Sequence, residues 1–234
     1  MQPMSHTSKY FDAELEHLRT RVLAMGGLVE QQIRYAIEAL RTGDAALIER
    51  IVSEEQRVNQ LEREIDEECT NVIVRRAPAA LDLRFVLMAY KTITDLERVG
   101  DEAKKIAFVA RQLRLSEHHS PGFPEIRLIA DAVVDMLRRS LDALARSETR
   151  DVADVVRQDR VVNERFRAIL RALLTYMIED PRAISASIDT LWVAKALERI
   201  GDHAKNISEY AIYMTKGEDV RHASFEALER AARS

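Results

Sequence analysis

The chain has 234 residues, 47% hydrophobic and 32% charged, with a formal net charge of −4. That is enough apolar material for one large core or two small ones. The 35 basic and 39 acidic side chains are intermixed, so no basic stripe offers itself to a nucleic acid. Seven glycines and five prolines are too few for a fold rich in sheets and turns, and long helices are the economical alternative. No window approaches the ~18 apolar residues of a membrane span. Met1 to Lys9 lacks the apolar stretch of a signal peptide, and Cys69 has no partner for an internal disulfide, which fits a reducing compartment. A soluble, cytoplasmic, all-α protein is expected.

In the first helical segment Leu15, Leu18, Val22, Met25, Val29, Ile33, Ala36 and Leu40 recur in threes and fours, the seam of an antiparallel bundle. Thr42-Gly43-Asp44 ends it and caps the second segment. Arg75 and Arg76 suit the C-terminus of that second helix, and Pro78 stops it. The stretch from Glu117 to Pro124, which includes His118 and His119, is a dense turn segment dividing the chain nearly in half. Beyond it, Ser147-Glu148-Thr149 and Asp180-Pro181 supply the corresponding breaks. Six long helices follow, most about 25 to 35 residues and up to roughly 50 Å each.

The two halves repeat. Thr94-Asp-Leu-Glu-Arg-Val-Gly-Asp-Glu-Ala-Lys-Lys-Ile106 aligns with Lys195-Ala-Leu-Glu-Arg-Ile-Gly-Asp-His-Ala-Lys-Asn-Ile207. Upstream, Glu55-Gln-Arg-Val-Asn59 corresponds to Asp159-Arg-Val-Val-Asn163. The expected organisation is two tandem pseudo-symmetric three-helix bundles over 1–116 and 125–216, joined by a linker at 117–124. A tail over 217–234 lies beyond the repeat, left open between a short helix and a disordered end.

Polar residues lie on or beside the buried stripe. With 100° per residue from Ile48, Glu55 falls near −20° and Asn59 near 20°, and Asp159 and Asn163 take the same angles counted from Val152. Glu62 and Asp66 continue the line in the first half, where the second half has Phe166 and Leu170. On the third helix of each unit, Gly100 and Gly201 face the seam at about −20°, with Glu97 and Glu198 near 40° and Asp101 and Asp202 near 80°. A helical glycine costs ~1 kcal/mol against alanine, so a partner helix or a bound ion should approach the backbone there. Grouped carboxylates need protons, arginines or cations to offset them. Arg98 and Arg199 point about 140° round the helix, poorly aimed for that task. Oxygen donors alone favour a hard divalent or iron cation, Mg, Mn or Fe, over a thiolate-type Zn site. His203 reads as a surface residue, Cys69 as packing, and Trp192 as core or interface.

Leu96-Glu-Arg-Val-Gly-Asp-Glu-Ala-Lys104, Leu197-Glu-Arg-Ile-Gly-Asp-His-Ala-Lys-Asn-Ile207, the two acid-x-x-Val-Asn elements and Met25-Gly-Gly-Leu-Val-Glu-Gln-Gln-Ile33 together resemble the PhoU family from about Phe11 to Lys216. The resemblance implies a regulator of the phosphate-specific ABC transporter and its two-component system, repressing phosphate-starvation genes and restraining uptake when phosphate is plentiful. Implied partners are the sensor histidine kinase, the transporter ATPase and a second copy of the chain in a homodimer, with the membrane reached only through partners. It also implies metal clusters on Glu/Asp-x-x-x-Asp pairs. Glu97, Asp101, Glu198 and Asp202 match that pattern, while Glu55-Asn59 and Asp159-Asn163 end in a neutral amide. Lys105 stands where the second unit has Asn206.

No nucleophile–base pair or phosphate loop is visible, so a non-catalytic adaptor is the reading. Two alternatives stay open. A ferritin-like di-metal enzyme needs Glu-x-x-His on two helices, and Glu14-Leu-Glu-His17 has no counterpart in the other half. A plain helical scaffold would carry the acids solvated and hold no ion.

Overall fold

The computed structural model describes residues 9–115 and 123–233. Its helices run in chain order as α1 (Lys9–Thr42), α2 (Ala45–Arg76), α3 (Ala80–Leu115), α4 (Phe123–Arg146), α5 (Val152–Glu179), α6 (Ile184–Lys216) and α7 (Phe225–Arg233), with a 3-10 turn at Pro181–Ala183. Among the described residues there is no strand. His118 and His119 lie outside the described residues.

Local chemistry sets the breaks. Gly43 takes φ 66, and Asp44 then caps α2 by accepting from the Ala46 N–H at 2.9 Å. Ala77 closes α2 in the left-handed region, donating to Ile73 O at 3.1 Å, just before Pro78. Asp180 accepts from the Arg182 N–H at 3.1 Å and starts the 3-10 turn that feeds α6. Gly217, at φ 77, ends α6.

Helices α1 to α3 pack into one bundle and α4 to α6 into a second. The two bundles meet chiefly along α3 against α6, with α1 also touching α4. One apolar core runs through both, from Val29, Ile33 and Val99 to Val133, Leu137 and Ile200. The predicted α1 seam is buried from Leu18 to Ala36, with Leu15 and Leu40 partly buried against the core. Where α1 meets α4 the approach is close: a Cβ on Gly26 would lie 2.5 Å from Leu141 Cδ1.

The tail is helical from Phe225 and docked. Leu228, Ala231 and Ala232 of α7 close a second cluster with Val152, Val156 and Ile212. The Thr149 hydroxyl donates to Ala232 O at 2.7 Å. Trp192, read as core or interface, is no part of the core: it is 62% exposed.

Candidate functional site

Each bundle places its acid–amide pair on one helix against the Glu-Arg-x-Gly-Asp turn of the next, α2 against α3 and α5 against α6. Glu55 is buried, and Asn59 Nδ2 donates to its Oε1 at 3.1 Å. Asp159 is 4% exposed, and Asn163 Nδ2 donates to its Oδ2 at 3.3 Å. Both acids therefore sit in the buried arc that the helical angles assign them.

The cations that meet these acids are lysines. Lys104 Nζ lies 2.9 Å from Glu55 Oε1, and Lys205 Nζ lies 3.8 Å from Asp159 Oδ2. The sequence reading missed both, although the signal was present. Each lysine stands seven residues after Glu97 or Glu198, two helical turns further along the same face. Arg199 serves another carboxylate, donating from Nη1 to Glu102 Oε1 at 3.0 Å, and Arg98 is exposed.

Glu97 and Asp101 are half-buried. Burial raises the Glu97 pKa above the ordinary range, and Asp101, Glu62 and Glu55 push it the same way. Burial likewise raises Glu62, with Asp66 adding to it. In the second bundle burial lifts Asp159 to about 6, with Asp202 and Glu198 reinforcing the shift and Lys205 opposing it. Asp202 is raised by desolvation and by Glu198, although its side chain stands at the exposed edge of the group. Because the acids of each bundle raise one another's pKa, each group acts as one electrostatic unit. The first contains Glu55, Glu62, Glu97 and Asp101, and the second Asp159, Glu198 and Asp202.

The paired glycines are explained by helix packing. A Cβ on Gly100 would meet Gln32 Oε1 at 3.1 Å, and one on Gly201 would meet Val133 Cγ1 at 3.4 Å. Gln32 is fully buried, another polar residue the periodicity did not single out.

The donor chemistry of the two groups fits a hard cation: carboxylate and amide oxygens, with Asn59 Oδ1 and Asp159 Oδ1 buried and without a hydrogen-bond partner among the described residues. The side chains are not gathered on one point, however. Among the described residues no group of three or more His, Cys, Asp or Glu is placed to hold an ion. Elsewhere, Glu14 of the Glu-x-x-His element is held by Arg76 at 2.7 Å.

His203 corrects the sequence reading. It is no surface residue, its side chain being 15% exposed with Nδ1 2.7 Å from Asp95 Oδ1. Asn206 Nδ2 donates to the same oxygen at 3.4 Å. These residues leave the acidic group on the α5 side and face α3 across the seam. In the first bundle the matching positions are Glu102 and Lys105, paired at 2.9 Å. Lys105 thus pairs within α3 itself, and it is Glu102 that crosses the seam, to Arg199, whereas Asn206 reaches across it to Asp95.

Two bundles of one pattern, each with an acid, an amide, a lysine and a Glu-Arg-x-Gly-Asp turn on facing helices, define a class of duplicated helical proteins. The family described as "PhoU domain" matches residues 22–110 and again 126–211, and the chain belongs to the PhoU family. It is 46% identical over 224 residues to the phosphate-specific transport system accessory protein PhoU homolog of Pseudomonas putida, covering 95% of this chain and 87% of that one. It is 40% identical to the accessory protein PhoU of Escherichia coli K12, covering 96% and 93%. The crystal structure of PhoU from Pseudomonas aeruginosa matches with TM-score 0.86 at 45% identity, over 89% of this chain and 100% of that one. The phosphate transport system regulatory protein PhoU from Streptococcus pneumoniae matches with TM-score 0.82 at 26% identity, over 90% and 99%.

Proposed function

We propose that the protein is a cytoplasmic, non-catalytic accessory of a phosphate-specific transport system. In this reading it lowers phosphate uptake and represses the starvation response by contacting the transporter ATPase and the sensor histidine kinase, as a homodimer. The observation that carries the reading is membership of the PhoU family over nearly the whole chain, supported by relatives named as phosphate transport accessories. No helix of the described residues is long and apolar enough to cross a membrane, which suits a protein reaching the bilayer through partners. A rigid helical adaptor acts by binding one state of a partner better than another and so shifting its population. Deleting the gene should switch on phosphate-starvation genes in phosphate-rich medium. Unchanged repression in that strain would refute the regulatory role.

A second reading concerns cations. Glu97, Asp101, Glu55 and Asn59 in one bundle, and Glu198, Asp202, Asp159 and Asn163 in the other, would hold a hard divalent or iron cation (Mg, Mn, Fe or, less suited to all-oxygen donors, Zn). Two buried oxygens without hydrogen-bond partners among the described residues, and the mutual repulsion of the acids, favour it. A bound ion would supply the positive charge that Lys104 and Lys205 now provide. Elemental analysis of tag-free protein, with Glu97→Ala/Asp101→Ala and Glu198→Ala/Asp202→Ala as controls, tests it. Metal-free protein whose double variants melt unchanged would exclude the site.

A further inference from the structure

Along α6, Ile184, Ile188, Trp192, Lys195 and Arg199 fall within about 80° of one another, a single face. Its first three members are exposed, 41%, 42% and 62% respectively. The row from Ile184 to Trp192 spans about 12 Å, two helical turns. At Trp192 it runs into a cleft of about 350 Å³ between α6 and α3, lined by Phe108, Val109, Ala196, Lys105, Lys195 and Arg199 above the buried Glu102. Phe108 is itself exposed. Exposed aromatic and aliphatic side chains aligned along a cleft mark an interaction surface rather than ordinary surface scatter.

The rim states what kind of partner fits. Lys105 and Arg199 have half-exposed side chains and share one buried carboxylate, Glu102. Lys195 is also open to solvent beside Glu198. Three cations thus border an apolar floor whose own lining holds one acid. In a two-fold contact with a second copy this basic rim would meet itself, and like charges would repel. Residues 116–122, Ser-Glu-His-His-Ser-Pro-Gly, carry one carboxylate and no large aliphatic anchor, a poor fit for the floor.

The duplication supplies an internal comparison. The seam's other end has Lys91 where this end has Trp192, and Glu209 where it has Phe108. There the cleft, about 160 Å³, is lined also by Asp219 and Arg221 from the segment following α6. That cleft also has apolar lining, Leu87, Met88, Tyr210 and Tyr213, but Glu209 and Asp219 balance Lys91 and Arg221 there, so the net basic rim belongs to the Trp192 end.

We propose that the α3–α6 cleft at Trp192 and Phe108 docks an amphipathic helix of a partner protein, whose apolar anchors enter the cleft while flanking carboxylates meet Lys105, Lys195 and Arg199. This deepens the adaptor reading and rests on it for the existence of a partner.

Trp192 is the single tryptophan, so its fluorescence reports the cleft directly. The probe is a helical peptide with leucines at i, i+4 and i+7 flanked by glutamates, set against the same peptide flanked by lysines. The glutamate peptide should shift Trp192 emission to the blue and shield it from acrylamide, and added salt should weaken it. Lys105→Gln/Lys195→Gln, which leaves Arg199 on Glu102, should weaken it about tenfold. Phe108→Ser should weaken it at least about tenfold. Circular dichroism melts check that both variants stay folded. Equal binding of the lysine peptide, or none of either, overturns the proposal. So does an emission shift that follows protein concentration, which would assign the face to a second copy. Shielding that disappears only when residues 116–122 are replaced would assign it to the chain itself and overturn it too. The gene-deletion experiment remains a separate test, so failure of the cleft and failure of the adaptor role are told apart.

Discussion

Glu209 is a carboxyl group almost shut off from water, 5% exposed. Desolvation pushes its pKa up to about 7, Asp159 and Asp219 add to the shift, and Lys205 opposes it. Because the folded value lies above the unfolded one of 4.5, ionisation penalises the folded state above about pH 7. The penalty fades as pH falls through that window and is gone below the unfolded value. Glu209→Gln should therefore raise stability at pH 8 by on the order of 2 to 3 kcal/mol and leave it unchanged near pH 4, read as a shift in urea midpoint. The two seam glycines give a second comparison at this scale. Gly201→Ala meets Val133 at ordinary contact distance, so the helix-propensity gain of up to about 1 kcal/mol should appear in the melting curve. Gly100→Ala presses a methyl on Gln32 Oε1, which has no hydrogen-bond partner among the described residues. It should forfeit that gain and fall about 1 kcal/mol or more behind the Gly201 variant.

At the scale of elements, what ties the acid-bearing helix to the turn-bearing one is a lysine. Lys104 crosses from α3 to Glu55 on α2. Lys104→Met would leave a buried carboxylate uncompensated, and the expected loss is about 1 to 3 kcal/mol in chemical unfolding. Adding Glu55→Gln should recover most of it, since the charge that needed a partner is then gone. Additive losses in the double variant would show that the lysine acts through packing of its stem instead. The corresponding α5–α6 pair is longer, 3.8 Å, so Lys205→Met should cost less.

At the scale of the whole molecule, the duplication does not give two independent cores. α3 and α6 share the most extensive helix–helix contact, and one apolar cluster crosses between the bundles. The polar pairs Asp95–His203 and Glu102–Arg199 span the same seam. Thermal unfolding should be one transition, with calorimetric and van't Hoff enthalpies equal. Two resolved transitions would show that each bundle stands alone. The α7 helix adds to the second bundle by covering Val152 and Val156, and it holds them in place with Arg157 on Glu229 at 3.0 Å.

While the tail helix α7 came only from the structure, periodicity and the internal repeat by themselves determined the six long helices, their breaks at Gly43, Pro78 and Asp180, and the burial of Glu55 and Asp159. Those features are local: a 3.6-residue period assigns each side chain to a face of its own helix, whatever lies opposite. The tertiary structure alone decided what lies opposite. It put Lys104 and Lys205 on the buried acids, Arg199 on Glu102, and His203 on Asp95. It also left Trp192 open beside Phe108. A helical angle carries no information about the neighbour it points at, and that neighbour, at distances of about 3 Å, is what decides whether a carboxylate is paired, repelled or free to meet a ligand.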